Sequence, residues 1–313
     1  MSDNSSIAAL LERRKAILAE EPKLRARNLA EKLGISEAEL VALGSAQATV
    51  TRLRPEWTAI IGAVGGLGRV MALTRNESVV HERKGVYGAL EGGAHVGLIV
   101  GDDIDLRIFF SQWKSGFAQV ERMEDDTTRR SLQFFDAQGT AIHKIYQTDK
   151  TDTAAFDDLI ARFATEASPL EIAPAANAKK PLADSEIDVA GFRSAWDAMT
   201  DTHQFHGLVN KFKVERLQGL RLAGATRARQ VPQAALLATL ETARERGVPV
   251  MVFVGNPGTV SYTHLTLPTI YSVEISLVAA ALTTINSTLH HSQHTQQRLP
   301  TTYYSRCTHR DLH

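Results

Sequence analysis

Two short stretches and one neighbouring arginine place metal-ligating, cationic and aromatic side chains at spacings that chemistry can use. In "MTDTHQFHGLVNKF", residues 199–212, His203 and His206 stand three apart, so on a helix they share one face. Neutral imidazole ligates iron when a carbonyl or carboxylate orients its other nitrogen. Most histidines in soluble chains are ordinary surface or hydrogen-bonded groups and only a minority are ligands, so the local pattern alone favours the plainer reading. In "DLRIFFSQW", residues 105–113, Arg107 and Phe109 alternate onto one face of a strand. A guanidinium pairs bidentately with carboxylate while a ring packs on a flat surface, which together suit an anionic, planar ligand. A half-buried strand with a snorkelling arginine presents the same pair. Arg216, in the helix after the histidines, is a second cation able to reach a carboxylate at the His203 site.

Two further motifs carry less. "GAVGGLG", Gly62–Gly68, follows a helix and precedes a strand, the reverse of the dinucleotide-binding order, and lacks the phosphate-loop lysine. It reads as a helix-ending turn. "LAEKLGISEAEL", Leu29–Leu40, has the outline of a helix-turn-helix, but its second helix is acidic where a DNA reader needs basic and amide side chains. A packed helical pair is the better reading.

The elements that must position these residues follow from pattern. The N-terminal part is helical: "SIAALLERRKAILAEEP" has apolar residues at helical spacing, and Ser36 with Glu39 forms a capping box. From Arg69 to about Gln147 the runs "RVMALTR", "ESVVHERKGVYGAL", "HVGLIVG", "IDLRIFF", "KSGFAQVER", "RSLQFFD" and "TAIHKIYQ" are β-rich and separated by turn residues. Strands so close together, without helices between them, pair antiparallel. A closing helix, "DTAAFDDLIARFATEA", ends a first unit spanning 1–166, and the Pro- and Ala-rich stretch 167–185 is a linker.

From 186 to 258 the plan starts again with helices and a strand, "VPVMVFVGN". Gly44 and Gly224, Met71 and Met251, and Asn76 and Asn256 are each 180 positions apart. That spacing predicts an α+β fold made of a duplicated unit of helices plus antiparallel sheet, the second copy lacking most of its sheet. Composition agrees with a globular protein: 313 residues, 43% hydrophobic and 22% charged. With 35 basic and 35 acidic residues there is no electrostatic pull toward nucleic acid or anionic membrane. No apolar run is long enough to span a bilayer, the N-terminus lacks a secretory pattern, and the single Cys307 excludes a disulfide framework. A cytoplasmic protein is expected.

Character changes at Thr259. Beyond it there is no glycine or lysine, and six of the eleven histidines and four of the six tyrosines fall there. "TVSYTHL", Thr259–Leu265, matches the conceptual translation of a transposon end used in sequencing libraries. The expectation is a non-native, disordered tail over 259–313.

Taken together, "DTHQF", "RLQGLRLAG", "GRVMALTRNESVVHERKGVY", "LRIFFSQWKSGFAQVE" and "VMVFVGNPG" resemble the haemin-degrading, or haem-transport, proteins of bacterial haem-uptake operons (HemS-like). The resemblance covers nearly all of residues 10–258. It implies a cytoplasmic protein of two similar halves with haem bound between them. It further implies His203 as axial iron ligand, Arg107 and Arg216 near the haem propionates or edge, and Phe109 and Phe253 as aromatic pocket residues. The activity implied is haem sequestration, with either oxidative ring opening and iron release or delivery to a haem oxygenase; a haem transporter is a further implied partner. His206 departs from the family, which usually has a second phenylalanine there. It is either a second polar group or alternative ligand in the pocket, or a tolerated surface substitution.

Overall fold

The structure, a computed structural model, describes residues 2–123, 125–166, 170–174, 181–200, 204–232 and 234–265. Among the described residues it divides into two units: those up to 174 together with 246–265, and those from 181 to 245. The first unit opens with α1 (Ser2–Glu20), α2 (Ala26–Leu33) and α3 (Glu37–Ala42). The expected capping box is present: Ser36 Oγ accepts from Glu39 N at 3.2 Å, and the Glu39 carboxylate accepts from Ser36 N at 2.7 Å. Gly34 closes α2 in the left-handed conformation at φ 73°. Glu37, on α3, is buried and paired with Arg75 and, at 3.8 Å, with Lys144. The acidic helix therefore packs onto the sheet through the residue that made it unfit to read DNA.

The chain then makes β1 (Ala48–Arg52), a strand with no counterpart in the sequence reading, and α4 (Trp57–Val64). Trp57, Ile60, Ile61 and Val64 bury one stripe of α4 at helical spacing. The glycine-rich stretch ends that helix as expected, through one short 3-10 turn at Gly65–Leu67. The strands β2 (Gly68–Arg75), β3 (Val80–Gly85), β4 (Leu90–Gly92), β5 (Val96–Ile99) and β6 (Asp105–Phe109) follow. After them come β7 (Ser115–Arg122), β8 (Thr128–Phe135), β9 (Ala141–Thr151) and the closing helix α5 (Thr153–Phe163).

β10 (Val250–Gly255) and β11 (Thr259–Leu265) return to this unit. Two sheets result, ordered β1-β7-β8-β9-β2-β3 and β10-β11-β6-β5-β4. Every strand pair is antiparallel, as the short connections require. Both sheets turn one face to a common core with α4 and α5, including Val70, Ile99, Leu106, Ile108, Phe134 and Phe156. Burying each such side chain stabilises the fold by about 1.5–3 kcal/mol.

The boundary expected at Thr259 is not a boundary in the fold. "TVSYTHL" alternates the small hydroxyl residues Thr259, Ser261 and Thr263 with the larger Val260, Tyr262 and His264, a period-two pattern that fits a strand whatever its origin. Thr259, Ser261 and Thr263 point inward and are buried, although Thr259 Oγ1 has no partner among the described residues. A core hydroxyl left so costs about 1–3 kcal/mol. The remainder of the expected tail, 266–313, lies outside the described residues, as do parts of the expected linker. The units also cut across the expected repeat boundary, because β10 pairs through β11 with β6 rather than staying with its own helices.

Residues expected to be equivalent meet face to face. Asn76 Nδ2 donates to Gly255 O at 3.1 Å, and Asn256 Nδ2 donates to Arg75 O at 2.9 Å and Ile142 O at 2.7 Å. Gly255 and Arg75 are themselves 180 apart. Each asparagine also accepts from two backbone N–H groups just ahead of it. The reciprocal brace fixes the β10–β11 hairpin against β2.

The second unit packs α6 (Val189–Asp197), α7 (Gln204–Lys211) and α8 (Arg216–Ala223) around Phe192, Leu208, Val209 and Leu222. Gly219 lets α8 approach closely, since a Cβ there would meet the Phe192 ring at 3.2 Å. α9 (Ala234–Glu245) completes it.

Candidate functional site

β6 is the middle strand of the five-stranded sheet, and its alternation decides what each face presents. Leu106 and Ile108 point to the core, both at most 1% exposed. Asp105, Arg107 and Phe109 therefore point the other way and are half-buried. Register carries that face across the sheet. Arg107 stands opposite Leu98 on β5 and Val260 on β11, Phe109 opposite Val96, and Asp105 opposite Tyr262. Tyr262 in turn stands opposite Phe253 on β10, with the two rings 4.8 Å apart and nearly perpendicular.

The structure thus brings Arg107, Phe109 and Phe253 onto one outward face. Phe253 is 55% exposed, Met251 43% and Val96 40%, an apolar surface left open around a cation. Exposed apolar area of this kind marks a place where something docks.

Arg216 lies in the second unit, at the first turn of α8, with its guanidinium over the Phe205 ring of α7 at 5.7 Å. That cation–π contact fixes the arginine on the helix that carries position 206. His203 lies outside the described residues. His206 sits on α7, so the helix expected there exists, and its side chain is not among those described.

Buried polar groups of the first unit escaped the sequence reading. Burial lowers His143 to about 3; Tyr87 Oη lies 2.6 Å from its Nε2 and Thr74 Oγ1 3.0 Å from its Nδ1. His81, held between Ser261 and Thr263, is lowered to about 4 by burial, with Arg83 adding to the effect. Lys144 is lowered to about 8 by burial against the opposing pull of Glu37. Only the types His, Tyr and Lys within strand runs could have flagged them, because their partners are distant in sequence. Among the described residues no helix is long and apolar enough to cross a membrane.

Known proteins are similar to this chain along most of its length. The model of the haemin-degrading HemS/ChuX domain family matches residues 34–163 and 213–274. The haemin transport protein HemS of Yersinia enterocolitica is 38% identical over 247 residues, 77% of this chain and 70% of its own length. Holo-PhuS, a haem-binding protein of Pseudomonas aeruginosa, superposes with a TM-score of 0.78 at 40% identity, covering 83% of this chain and 76% of PhuS. ChuS, an E. coli haem oxygenase, gives 0.68 at 36% identity, covering 79% of this chain and 73% of ChuS.

Proposed function

The chain belongs to the haemin-degrading HemS/ChuX family, and from that premise we propose that it binds haem on the outward face of the five-stranded sheet. The observation that carries the reading is the convergence of Arg107, Phe109 and Phe253 there, beside exposed Met251 and Val96. Each part matches a part of the ligand. The Arg107 guanidinium pairs with a propionate, and a charge-assisted, forked contact sets the orientation of the anionic edge. Phe109 and Phe253 take the porphyrin plane, excluding water from both surfaces. Each apolar side chain so covered contributes about 1.5–3 kcal/mol before the cost of association.

By the family resemblance His203 would hold the iron, while Arg216 would supply a second cation and His206 a further polar group. Bound haem supplies the iron that activates oxygen once reduced, while these residues supply position and charge. The cytoplasmic setting and hand-over to a haem oxygenase or transporter belong to the same proposal.

Haem titration tests it: wild type shifts the Soret band on binding, and His203→Ala loses that ligation signature. A protein that leaves the haem spectrum unchanged refutes the proposal. Degradation and transport are both readings that relatives' names support, ChuS as a haem oxygenase and HemS as a transport protein. Adding reductant under oxygen separates them: bleaching with pigment formation marks degradation, and an unchanged spectrum marks a carrier.

A further inference from the structure

Behind the sheet face a line of aromatic rings crosses the core of the first unit. Phe110 follows Phe109 in sequence, and its ring lies 5.7 Å from that of Trp113. Trp113 lies 4.4 Å from Phe134, 6.4 Å from Trp57 and 6.2 Å from the His143 ring. His143 is 6.3 Å from Tyr87, ring to ring. Hydrogen bonds lock the line in place: Trp57 Nε1 donates to Trp113 O at 3.1 Å, and Trp113 Nε1 donates to Gly258 O at 3.0 Å. Trp57, itself buried, ends it beneath an open surface depression that it lines with His95 and Ser111.

Packing alone asks for none of the polar detail at the inner end. A leucine–phenylalanine core of the same volume would avoid burying a phenol and an imidazole. Here Tyr87 is 3% exposed and His143 fully buried, and the two share a hydrogen bond of 2.6 Å. With its proton on Nδ1, donated to Thr74 Oγ1, the imidazole presents a lone pair at Nε2 that accepts the Tyr87 hydroxyl. Burial keeps that imidazole neutral at rest, its pKa lowered to about 3, so it refuses solvent protons and can be protonated only by a much stronger acid, which the phenol becomes once it loses an electron. A phenol can give up an electron easily only if its proton has somewhere to go, and this one does.

We propose that Trp113 and Tyr87, with His143 as proton acceptor, form a redox relay that draws one-electron oxidising equivalents out of the strand bearing Arg107 and Phe109. The oxidant is of the class formed when hydrogen peroxide meets haem; it takes one electron from Trp113 and is reduced by one. Oxidised Trp113 then takes one electron from Tyr87. The Tyr87 O–H bond breaks, its proton forms a new N–H bond at His143 Nε2, and a neutral tyrosyl radical remains while Trp113 is restored. An external thiol or ascorbate-like reductant returns the electron and the proton goes back. The relay rests on the haem reading only for the source of its oxidant.

The test has two arms. In the first, haem-free protein is oxidised with flash-generated tris(bipyridine)ruthenium(III) and followed by transient absorption and EPR. A tryptophanyl signal should convert to a neutral tyrosyl signal, more slowly in D2O because a proton moves. Tyr87→Phe, which keeps the ring and removes one hydroxyl, should leave the tryptophanyl signal unconverted. Thr74→Val should slow conversion by releasing the imidazole. A tyrosyl yield unchanged by Tyr87→Phe overturns the relay. In the second arm peroxide is added to haem-loaded protein whose Soret shift has been confirmed. The same Tyr87-dependent radical is expected, and a Soret shift without it overturns the relay. Absence of any Soret shift refutes the haem reading instead, and the ruthenium arm still decides the relay.

Discussion

The hairpins β2–β3 and β10–β11 stand 180 residues apart, brace each other through Asn76 and Asn256, and turn opposite kinds of surface outward. On the first, Met71, Leu73 and Arg75 lie beside Glu82 and Lys84. Arg75 pairs with Glu37, so α3 covers one end of that face. On the second, the matching positions hold Met251, Phe253 and Gly255 beside Val260 and Tyr262, and no helix of the first unit's N-terminus pairs with them among the described residues. The backbone plan is alike; the change of Leu73 to Phe253, Arg75 to Gly255 and Glu82 to Tyr262 makes one face charged and the other aromatic. Only the second hairpin also borders β6 and hence Arg107. On the proposed reading, a flat, anionic ligand docks at the second hairpin rather than the first.

Several changes would break or sharpen that contrast. The largest expected effect is on binding: Arg107→Glu reverses the cation at the centre of the aromatic face. Haem affinity should fall about a hundredfold, on the scale of losing a binding hot spot, as read by Soret titration. Lys84→Glu on the charged face should leave affinity unchanged.

Next come the braces. Asn256→Ala strips partners from two carbonyls, Arg75 O and Ile142 O, and Asn76→Ala from one, Gly255 O. Urea unfolding should show losses of about 3 and about 1.5 kcal/mol respectively. Equal losses would mean that the two hairpins are held alike.

Acid should part the hairpins through His81, which reaches from the first to Ser261 and Thr263 of the second. Its native pKa, about 4, lies below the ordinary imidazole value of about 6.5, as does that of His143 at about 3. The stability these neutral rings contribute is full above about pH 6.5. It is lost as pH falls toward 4 for His81 and 3 for His143, because the unfolded chain binds protons that the native state refuses. His81→Gln should make that acid limb shallower by one proton, at most about 1.4 kcal/mol per pH unit. An identical acid limb in the variant would assign the effect elsewhere. The smallest change is Arg216→Ala, which removes a half-open cation–π contact with Phe205 and should cost about 0.5–1 kcal/mol of stability.

Much of this was legible before any coordinates. Arg107 and Phe109 announce their shared face because a strand alternates with period two, and the capping box at Ser36 is a local rule that needs no tertiary partner. The seven β-rich runs became strands for the same reason. What stayed hidden is non-local. β1, five residues of "ATVTR" between helices, is too short to stand out from a loop until β7 pairs with it. Glu37 looks like one more charge on an acidic helix, since its partners Arg75 and Lys144 come from distant strands. The pairing of β11 with β6 crosses from one expected repeat into the other, so the reading that ended the native fold at Gly258 had no means of seeing Thr259–Leu265 as a central strand. Phe253 entered only through resemblance, and the register then gave it a physical neighbour in Arg107's face.

The most direct test of the account compares equivalent positions on the two hairpins. Haem is titrated into wild type, Phe253→Glu and Leu73→Glu, and the Soret shift is followed to saturation. The account predicts that Phe253→Glu loses high-affinity binding while Leu73→Glu titrates like wild type. Equal loss in both variants, or loss in Leu73→Glu alone, would contradict it.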